Sequence, residues 1–370
     1  MKTAVLFSFG DEDNQKFHET DNPDFLSKQV IMYAGRKLSI LNFIEDKISE
    51  VKKRLGKNKI TALDGFSGTG IVSRLLKKHC STLYSNDLEY YSMVINQCYL
   101  TNKSSVKISE LRESVALLNE MRLQPHESGF IEELYSPKIT HQIRVGERAF
   151  FTNENAKIID NIRRDIDKVA APQHHSLLIA PLLATLKDKS NVQNVFRAFY
   201  KDTTSNKGQW GGNNPKTIGK LFRDIILEIP VLSDFNCESV ISCRDTNKLV
   251  HELTELDLAY FDPPFDIYAY GEDYFMYNLV AKYERPTEIT GVAGVPINWN
   301  RSAYNSKTKA ARAIADLMEN TKAKYVLFSY SENGILTIPV LTELLSQFGK
   351  VEVSTYQRTN LEYLFLIEMI

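Results

Sequence analysis

TALDGFSGTG, residues 61–70, is the stretch of sequence that decides the fold. It opens as an apolar run typical of a buried strand, stops at the acid Asp64 and enters a loop with three glycines in six residues. Glycine has no side chain, so such a loop lets the backbone come close to a bound molecule. The stretch therefore predicts a strand that leads into a small-molecule site.

Two common nucleotide loops do not fit the glycine spacing. A dinucleotide loop needs G-x-G-x-x-G, and Gly68 and Gly70 fit that pattern, but Ser73 stands where the third glycine belongs. A phosphate-cradling P-loop needs Lys and then Ser or Thr after G-x-x-x-x-G, whereas Ile71 and Val72 follow Gly70 here. Phosphate binding is therefore disfavoured.

The composition is that of an ordinary soluble globular protein. The 370 residues suggest either one large domain with an insertion or two domains. Apolar residues make up 43% and charged residues 25%, and 45 Lys and Arg nearly balance 46 Asp and Glu. The overall charge names no partner, so a nucleic-acid binder with this balance has to concentrate its basic residues on one face.

The cysteines and the N-terminal residues predict a cytoplasmic protein without a structural metal. The four cysteines form no C-x-x-C pair and have no nearby His at zinc-ligand spacing, so reduced thiols are expected. The opening MKTAVLFSFG passes at once into DEDNQ and lacks the length of a signal peptide's core. No segment has the length and hydropathy expected of a membrane span.

Two parts of the chain, about 59–102 and 238–370, alternate short apolar runs with helix-period segments. This alternation predicts an α/β fold with a mostly parallel sheet covered by helices. The expected strands are KITALD, STLYSND, SVISC, LDLAYF, AKYVLFSY and KVEVSTY. The expected helices are TGIVSRLLKKH, LEYYSMVINQCYL, TKAARAIADLMEN and IPVLTELLSQF. The final RTNLEYLFLIEMI begins with a turn and is expected to return as a strand antiparallel to KVEVSTY.

The sequence between these parts, residues 104–235, has a different texture. Helix-like stretches such as NENAKIIDNIRRDIDKVA and HSLLIAPLLATLKD flank a segment rich in glycine and asparagine, DTTSNKGQWGGNNPK. This pattern predicts an inserted, mainly helical lobe with an exposed loop or hairpin.

A second motif, Asp262–Phe265 (DPPF), follows the apolar strand LDLAYF. Asp-Pro-Pro alone is a common rigid turn, but here it ends a buried-looking strand and precedes an aromatic residue. The glycine loop resembles the D-x-F-x-G-x-G loop with which methyltransferases bind S-adenosylmethionine. The DPPF segment resembles the [DNS]-P-P-[YFW] motif of DNA amino-methyltransferases, and its Asp form is most typical of adenine enzymes.

A third segment, YAGRKLSILNFI at residues 33–44, resembles the N-terminal Y-x-G-x-K motif of the DNA adenine methylase family. The order of the motifs is that of the alpha-type enzymes. The resemblance implies a Rossmann-like methyltransferase sheet, mostly parallel with an antiparallel last strand. It also implies a catalytic domain at 28–103 and 236–370 and a target-recognition domain at 104–235.

The resemblance implies S-adenosylmethionine as the cofactor and no metal. The residues expected to bind it are Tyr33, Lys37, Asp64, Phe66, Gly68, Gly70, Asp87 and Asp245. Asp87 lies where such folds place an acid on the ribose hydroxyls, and a carboxylate near the loop attracts a positively charged sulfonium. The alternatives are a structural turn for the loop and an ordinary helix-start acid for Asp245. Arg36 and Phe265 depart from the commoner residues of the family without removing a required chemical group.

The expected catalytic residues are Asp262, Pro263, Pro264 and Phe265. The amino lone pair of a purine is delocalised into the ring and has to be localised before it attacks. The Asp262 carboxylate and the Pro263 carbonyl are expected to accept one amino hydrogen each, while two rigid prolines hold the geometry. A base inside a duplex does not reach such a pocket, so the target is expected to turn out and stack on Phe265.

Double-stranded DNA is the expected partner. SNKGQW at residues 205–210 resembles an N-x-x-G-x-aromatic turn in a DNA-contacting hairpin of the family. The residues expected to contact DNA are Lys201, Asn206, Lys207, Gln209, Trp210, Lys216 and Lys220, with Arg197 and Arg223 as further phosphate contacts. The alternative for the basic residues is a solvated helix face.

The function implied is site-specific methylation of the 6-amino group of adenine in duplex DNA, with base flipping. The alternatives are methylation of a cytosine amino group or of RNA, and a non-catalytic DNA-binding module. The enzyme belongs either to a restriction-modification system with a separately encoded endonuclease or to the orphan type.

Overall fold

The computed structural model describes residues 22–125, 127–212, 214–357 and 360–370. The N-terminal residues considered above for a signal peptide, and Arg358 and Thr359 of the last turn, lie outside the described residues. No helix in these ranges is both long and apolar enough to cross a membrane.

Seven strands of the described chain form one central sheet, and two short strands pair separately. In chain order the strands are β1 (Ile60–Asp64), β2 (Cys80–Asp87), β3 (Glu238–Cys243), β4 (Leu256–Phe261), β5 (Ile289–Thr290), β6 (Val295–Pro296), β7 (Ala323–Ser331), β8 (Gly349–Gln357) and β9 (Leu361–Met369). The sheet order is β3-β2-β1-β4-β7-β9-β8. Neighbouring strands are parallel except at β9, which runs antiparallel to both β7 and β8. The predicted sheet and its antiparallel last strand are confirmed.

The helices of the described chain lie before, between and after these strands. They are α1 (Asp24–Ser27), α2 (Leu41–Leu55), α3 (Ile71–His79), α4 (Tyr90–Leu100), α5 (Ile108–Met121), α6 (Phe130–Tyr135), α7 (Asn153–Val169), α8 (Ser176–Lys189), α9 (Pro215–Leu221), α10 (Thr246–Leu249), α11 (Tyr270–Asp273), α12 (Phe275–Lys282), α13 (Ala310–Asn320) and α14 (Ile338–Leu345). Short 3₁₀ turns occur at Leu38–Ile40, Lys103–Ser105, Pro172–His174 and Ala303–Asn305.

Helices cover both faces of the central sheet. On one face α2 and α3 pack through residues such as Ile48 and Leu76 onto inward-facing strand residues such as Leu258. On the other face α13 and α14 pack onto the alternate strand residues, for example Leu317 on Phe328. Because successive side chains of a strand point to opposite faces, strands buried on both sides read as continuous apolar runs.

Helices α5 to α8, which follow α4 and precede β3, share one apolar core with α4 and α12. Residues of α8 such as Leu178 and Leu182 belong to the same buried cluster as Ile95 of α4 and Met276 of α12. Helix α4 is apolar nearly all round because it packs against the sheet on one side and α8 on the other. A continuous core therefore connects these helices to the helices beside the sheet.

The sheet changes direction between β1 and β4. From β1 the chain continues to β2 on one side, whereas β4 is followed by β7 on the other side. In open α/β sheets, ligands bind at the carboxyl ends of the strands at such a switch point. The backbone N of Gly65, just past β1, donates a hydrogen bond to the carbonyl of Tyr260 in β4 at 3.0 Å, so the two strand ends are fixed side by side.

Candidate active site

The glycine loop joins β1 to α3 at the switch point. Gly68 and Gly70 have φ values of +50° and +74°, in the left-handed region that favours glycine. A Cβ on Gly70 would collide with the side chain of Asn96, and one on Gly65 would lie 2.7 Å from the ring of Phe261. The glycines are therefore required both for the turn and for the close packing of the loop on its surroundings.

Asp64 lies beneath the glycine loop and is fully buried. Its Oδ2 accepts a 2.6 Å hydrogen bond from the hydroxyl of Ser73. Burial raises the pKa of Asp64 to about 7, the Ser73 hydrogen bond opposes this rise, and the carboxylates of Asp262 and Asp87 add to it. The serine that stood in place of a third glycine thus supports the acid at the end of β1.

Asp87, at the end of β2, holds the glycine loop from the other side. Its Oδ2 accepts a hydrogen bond from the backbone N of Gly68 at 2.7 Å, and its Oδ1 accepts one from the backbone N of Glu89 at 2.8 Å. Burial raises the pKa of Asp87, while these hydrogen bonds oppose the rise.

Glu89 is a candidate site residue that the sequence did not predict. Its side chain is buried and accepts hydrogen bonds from the Nδ2 atoms of Asn300, at 3.3 Å, and Asn278. Burial raises the pKa of Glu89 to about 7. Its signal in the sequence is the acid two residues beyond Asp87, at the N-cap of α4.

Asp245 and Thr246 approach the loop from the start of α10. Asp245 is the N-cap of that helix, and its side chain accepts a hydrogen bond from the backbone N of Lys248 at 3.2 Å. The Thr246 hydroxyl donates to the carbonyl of Gly65 at 2.6 Å. Asp245 is therefore a helix-start acid, as its alternative interpretation held, and it also lines the cleft described below.

Asp262 follows β4 and forms an ion pair with a buried lysine. The Nζ atom of Lys37 lies 2.9 Å from Asp262 Oδ1, and the lysine side chain is only 4% exposed. Burial raises the pKa of Asp262, and the ammonium of Lys37 opposes this rise. A buried cation therefore favours the ionised form of this carboxyl group.

Phe265 is held by backbone and ring contacts. Its carbonyl accepts a hydrogen bond from the backbone N of Ile335 at 2.7 Å. Its ring packs edge-on against Tyr330, with 5.9 Å between ring centroids, and lies 5.7 Å from Lys37 Nζ. The aromatic residue of the DPPF segment thus has a fixed position beside Lys37.

Tyr33 anchors the N-terminal segment to the start of the α11–α12 region. Its ring stacks on both Tyr270 and Tyr274, with 4.9 Å between centroids in each pair. The hydroxyl of Tyr274 accepts a hydrogen bond from the backbone N of Ala34 at 2.6 Å. A Cβ on Gly68 would lie 3.0 Å from the Tyr33 hydroxyl, so this ring covers the glycine loop.

These elements form the walls of a cleft at the switch point. Its wall combines acids with aromatic rings: Asp87, Glu89, Asp245, Asp262, Tyr33, Phe66, Phe265, Tyr270 and Tyr304. Pro263 and Pro264 also line it, whereas Lys37, Asp64, Gly68 and Gly70 are not among its lining residues. The structure thus brings the four expected catalytic residues together with four of the expected cofactor residues, Tyr33, Phe66, Asp87 and Asp245.

A second, more open cavity lies on the other side of Phe265. It is lined by residues that include Ser331, Asn333, Asn360, Glu362 and Asp266. Tyr33, Gly35 and Phe265 line both this cavity and the acidic cleft. The two spaces therefore meet at Phe265, the last residue of the DPPF segment, and at Tyr33 and Gly35.

The expected DNA-contacting turn is a hairpin. Lys201 and Gly208 form an antiparallel bridge, and the exposed Asn206 takes a left-handed φ of +57° at the turn. Lys207 is exposed beside it. Trp210, in contrast, is partly buried, and its indole N–H donates a hydrogen bond to the carbonyl of Thr140 at 2.9 Å.

The remaining residues expected to contact DNA differ in their burial and in whether they already bind other protein groups. Gln209 is partly buried, and its main-chain carbonyl accepts a 2.9 Å hydrogen bond from Asn191 Nδ2. Lys216 is exposed on α9, while Lys220 pairs with Asp188 at 2.9 Å. Arg197 pairs with Asp273 and lies 4.4 Å from the ring of Tyr268.

A Rossmann-like sheet with a glycine loop after β1 and an Asp-Pro-Pro-aromatic segment after β4 defines a methyltransferase of the amino-methylating class. A family model for D12 class N6 adenine-specific DNA methyltransferases matches residues 33–337. The chain belongs to this family. The family and the enzyme class predicted from the sequence are thereby confirmed.

Curated relatives are modification methylases. The chain is 31% identical over 336 residues to the modification methylase LlaI of Lactococcus lactis subsp. lactis, covering 87% of this chain and 50% of the relative. It is 28% identical over 331 residues to the type II methyltransferase M.NlaIII of Neisseria lactamica, covering 87% and 89%. The type II methyltransferase M.CviAII of Paramecium bursaria Chlorella virus 1 is 29% identical, with 87% and 90% covered. The chain thus spans about half the length of the Lactococcus relative and nine-tenths of the other two.

Proposed function

We propose that this protein methylates the 6-amino group of an adenine at a specific sequence in duplex DNA, with S-adenosylmethionine as the methyl donor. The observation that supports this most is the position of the Asp262–Phe265 segment, which lines the acidic cleft and borders the open cavity through Phe265. Direct methyl transfer requires the donor atom and the acceptor atom to lie on opposite sides of the methyl group that is transferred. The two cavities provide such a pair of spaces.

The carboxylates and aromatic rings that line the acidic cleft fit S-adenosylmethionine. Bound there, this cofactor supplies a methyl group on a positively charged sulfonium. The carboxylates of Asp87, Glu89 and Asp245 attract positive charge and accept hydrogen bonds from hydroxyl groups. The rings of Phe66 and Tyr304 offer faces on which a purine can stack.

Asp262 and Pro263 prepare the acceptor nitrogen. The Asp262 carboxylate accepts one amino hydrogen and the Pro263 carbonyl accepts the other, which localises the nitrogen lone pair. The carboxylate then stabilises the positive charge on the methylated nitrogen until an amino proton leaves to it or to water. Pro263 and Pro264 fix the segment in advance, so little reorganisation is needed when the base arrives.

Phe265 receives the target base outside the helix. Unstacking a base from the duplex costs a few kcal/mol, and aromatic stacking in the pocket offsets part of this cost. The fixed position of the Phe265 ring against Tyr330 makes it a preformed surface for this purpose.

Residues 104–235 form the proposed target-recognition domain, and residues 28–103 and 236–370 the catalytic domain. The hairpin of the insertion presents Asn206 and Lys207 to solvent. A groove of mixed charge adjoins the open cavity, because both are lined by Gln29, Lys187 and Asp188. Its basic residues include Lys28, Lys187, Lys189, Lys220 and Arg223, and its acids are Asp24, Asp188, Asp224 and Glu228. Phosphate contacts in this groove would position DNA, and hairpin side chains would read base edges.

The enzyme's biological setting follows from its relatives, which carry the names of modification methylases. We place it in the cytoplasm, with a separately encoded restriction endonuclease of the same specificity as its partner. Methylation of the shared site protects DNA from that nuclease.

The test is a radiolabel assay with S-adenosylmethionine and four substrates: duplex DNA, single-stranded DNA, duplex RNA, and duplex DNA in which every adenine is replaced by an analogue without the 6-amino group. We expect label in duplex DNA only, recovered as N6-methyladenine after nucleoside digestion. Label recovered on cytosine or in RNA, or no label in any substrate, would contradict the proposed function.

A further inference from the structure

Three charged side chains lie in a row beside the DPPF segment. Lys37 Nζ is 2.9 Å from Asp262 Oδ1 and 3.9 Å from Glu362 Oε2. The side chains of Asp262, Lys37 and Glu362 are 17%, 4% and 13% exposed. One largely buried ammonium therefore lies between two carboxylates.

Glu362 occupies an unusual position for an acid. It is the second residue of β9, a strand that lies inside the sheet between β7 and β8. With a strand period of two, it shares a face with Leu364 and Leu366, which are buried against α2 and α3. A charge on the apolar face of an inner strand is costly unless it is paired, and the Nζ atom of Lys37 lies 3.9 Å from Glu362 Oε2.

The proposed chemistry makes two opposing demands on Asp262. Its carboxylate has to stay ionised in a buried site, which the neighbouring ammonium of Lys37 favours. The same carboxylate also has to accept a hydrogen from the target amine, and an ammonium at 2.9 Å competes for its lone pairs. A second acceptor for Lys37 resolves this conflict.

We propose that Glu362 is a positioning residue for methyl transfer, which accepts the ammonium of Lys37 when the target amino group reaches Asp262. This inference rests on the proposed function. Glu362 lines the open cavity assigned to the target base, so an arriving base passes close to it. The exchange moves Lys37 between two carboxylates and leaves the net charge of the site unchanged.

Other ionisable groups also face Asp262. They come from β1, β4 and the segment after the DPPF motif: Asp64, Tyr260 and Tyr270. Each is present in all variants considered below, so differences among the variants report on Lys37 and Glu362 alone.

The test compares the pH dependence of single-turnover methylation in Glu362→Gln and Lys37→Met. Methylation falls on the acid side as Asp262 takes up a proton. Without the charge of Glu362, Lys37 pairs with Asp262 alone, so the acid limb moves to lower pH and the rate at neutral pH falls roughly tenfold. Without Lys37, the proton is held more tightly and the acid limb moves to higher pH. The two variants shift the limb in opposite directions.

Three controls separate positioning from a merely structural role. Glu368→Gln, at the other end of β9, should leave both the rate and the pH profile unchanged. Calorimetry should show that Glu362→Gln still binds S-adenosylmethionine as the wild type does. In the Lys37→Met background, adding Glu362→Gln should produce little further loss, because Glu362 acts through Lys37.

An acid limb that stays in place in Glu362→Gln, or an undiminished effect in the Lys37→Met background, would overturn the proposal. If Glu362→Gln does not fold, Glu362→Asp keeps the charge but withdraws it from Lys37, and it should shift the limb in the same direction by a smaller amount. An unmoved limb in that variant overturns the proposal equally. A wild type that methylates no adenine contradicts the proposed function instead.

Discussion

The carboxyl edge of the sheet and the hairpin of the insertion both carry polar residues that the sequence singled out, but they are built differently. At the sheet edge, Asp64, Asp87 and Lys37 are buried, and specific protein groups hold them at 2.6–2.9 Å. On the hairpin, Asn206 and Lys207 are exposed to solvent. Groups that act on a reacting centre gain from being fixed in advance, whereas exposed side chains can adjust when a partner arrives.

Asp262→Ala tests the preformed edge most strongly. We expect the methylation rate to fall about 10³-fold, because the acceptor of the amino hydrogen is lost. Affinity for S-adenosylmethionine should be largely kept, since Lys37 retains Glu362 as a partner and the rest of the cleft is unchanged. Single-turnover kinetics and calorimetry check both expectations. Near-normal turnover on DNA would show that the aspartate-proline mechanism is wrong.

Asp64→Asn tests how much the burial of an acid at this edge lowers the free energy of unfolding. The pKa of Asp64 is about 7 in the folded protein, so folding favours its protonated form. The stabilising effect of that proton is fully present below the unfolded pKa of about 3.9 and is lost as the pH rises toward 7. Across this window the wild type should therefore lose on the order of 2–4 kcal/mol more unfolding free energy than the asparagine variant, which keeps the other buried acids.

Denaturant unfolding without cofactor at pH 4.5, 6 and 8 measures the effect of this substitution. The difference in unfolding free energy between Asp64→Asn and the wild type should grow with pH. Asp46→Asn, at an exposed position of α2, is the matched control and should give a constant difference. A constant difference for Asp64→Asn as well would mean that its burial has no such cost.

Two substitutions of Phe265 test whether an aromatic ring is all that methylation requires at this position. Phe265→Ala should slow methylation about 10- to 100-fold, since stacking on a flipped base is worth about 1–3 kcal/mol. Phe265→Tyr should be mild because it keeps the ring, provided that the hydroxyl is accommodated beside Tyr330. Rates on matched DNA check the pair. Equal losses in both variants would place the ring's role in packing rather than in stacking on the base.

The sequence predicted the strands of the sheet and the helix after the glycine loop well because the signals there are local. LDLAYF matches β4 residue for residue, and TGIVSRLLKKH differs from α3 by two residues at its start. Strands buried on both faces give continuous apolar runs, and a glycine loop needs particular φ values wherever it occurs.

Features that depend on distant parts of the chain escaped prediction. Helix α12 is eight residues long, and its burial depends on α4 and α8, which come from much earlier in the chain. Glu89 gains its place in the cleft from Asn278 and Asn300, which are 189 and 211 residues further along the chain. The partner of Trp210, the carbonyl of Thr140, is equally invisible in the local sequence.

The hairpin gives the smallest expected effects, and they separate two kinds of DNA contact. Gln209→Ala should relax the preference for one base pair by about 1–3 kcal/mol, because an amide side chain can bond a base edge. Lys216→Ala should weaken binding to every duplex by a similar small factor and reduce the salt slope by about one unit, as expected for a single phosphate contact. Lys220→Ala should do less than Lys216→Ala, since Lys220 already pairs with Asp188.

Competition binding on matched and single-mismatch duplexes at several salt concentrations measures all three variants. If Gln209→Ala weakened binding to every duplex equally, base recognition would have to come from elsewhere in residues 104–235. The exposed Asn206 at the turn would then be the next position to substitute. Deleting the hairpin is the final check. If the deletion variant kept its specificity for one DNA sequence, the exposed hairpin residues would have no part in recognition, and the functional contrast with the sheet edge would be wrong.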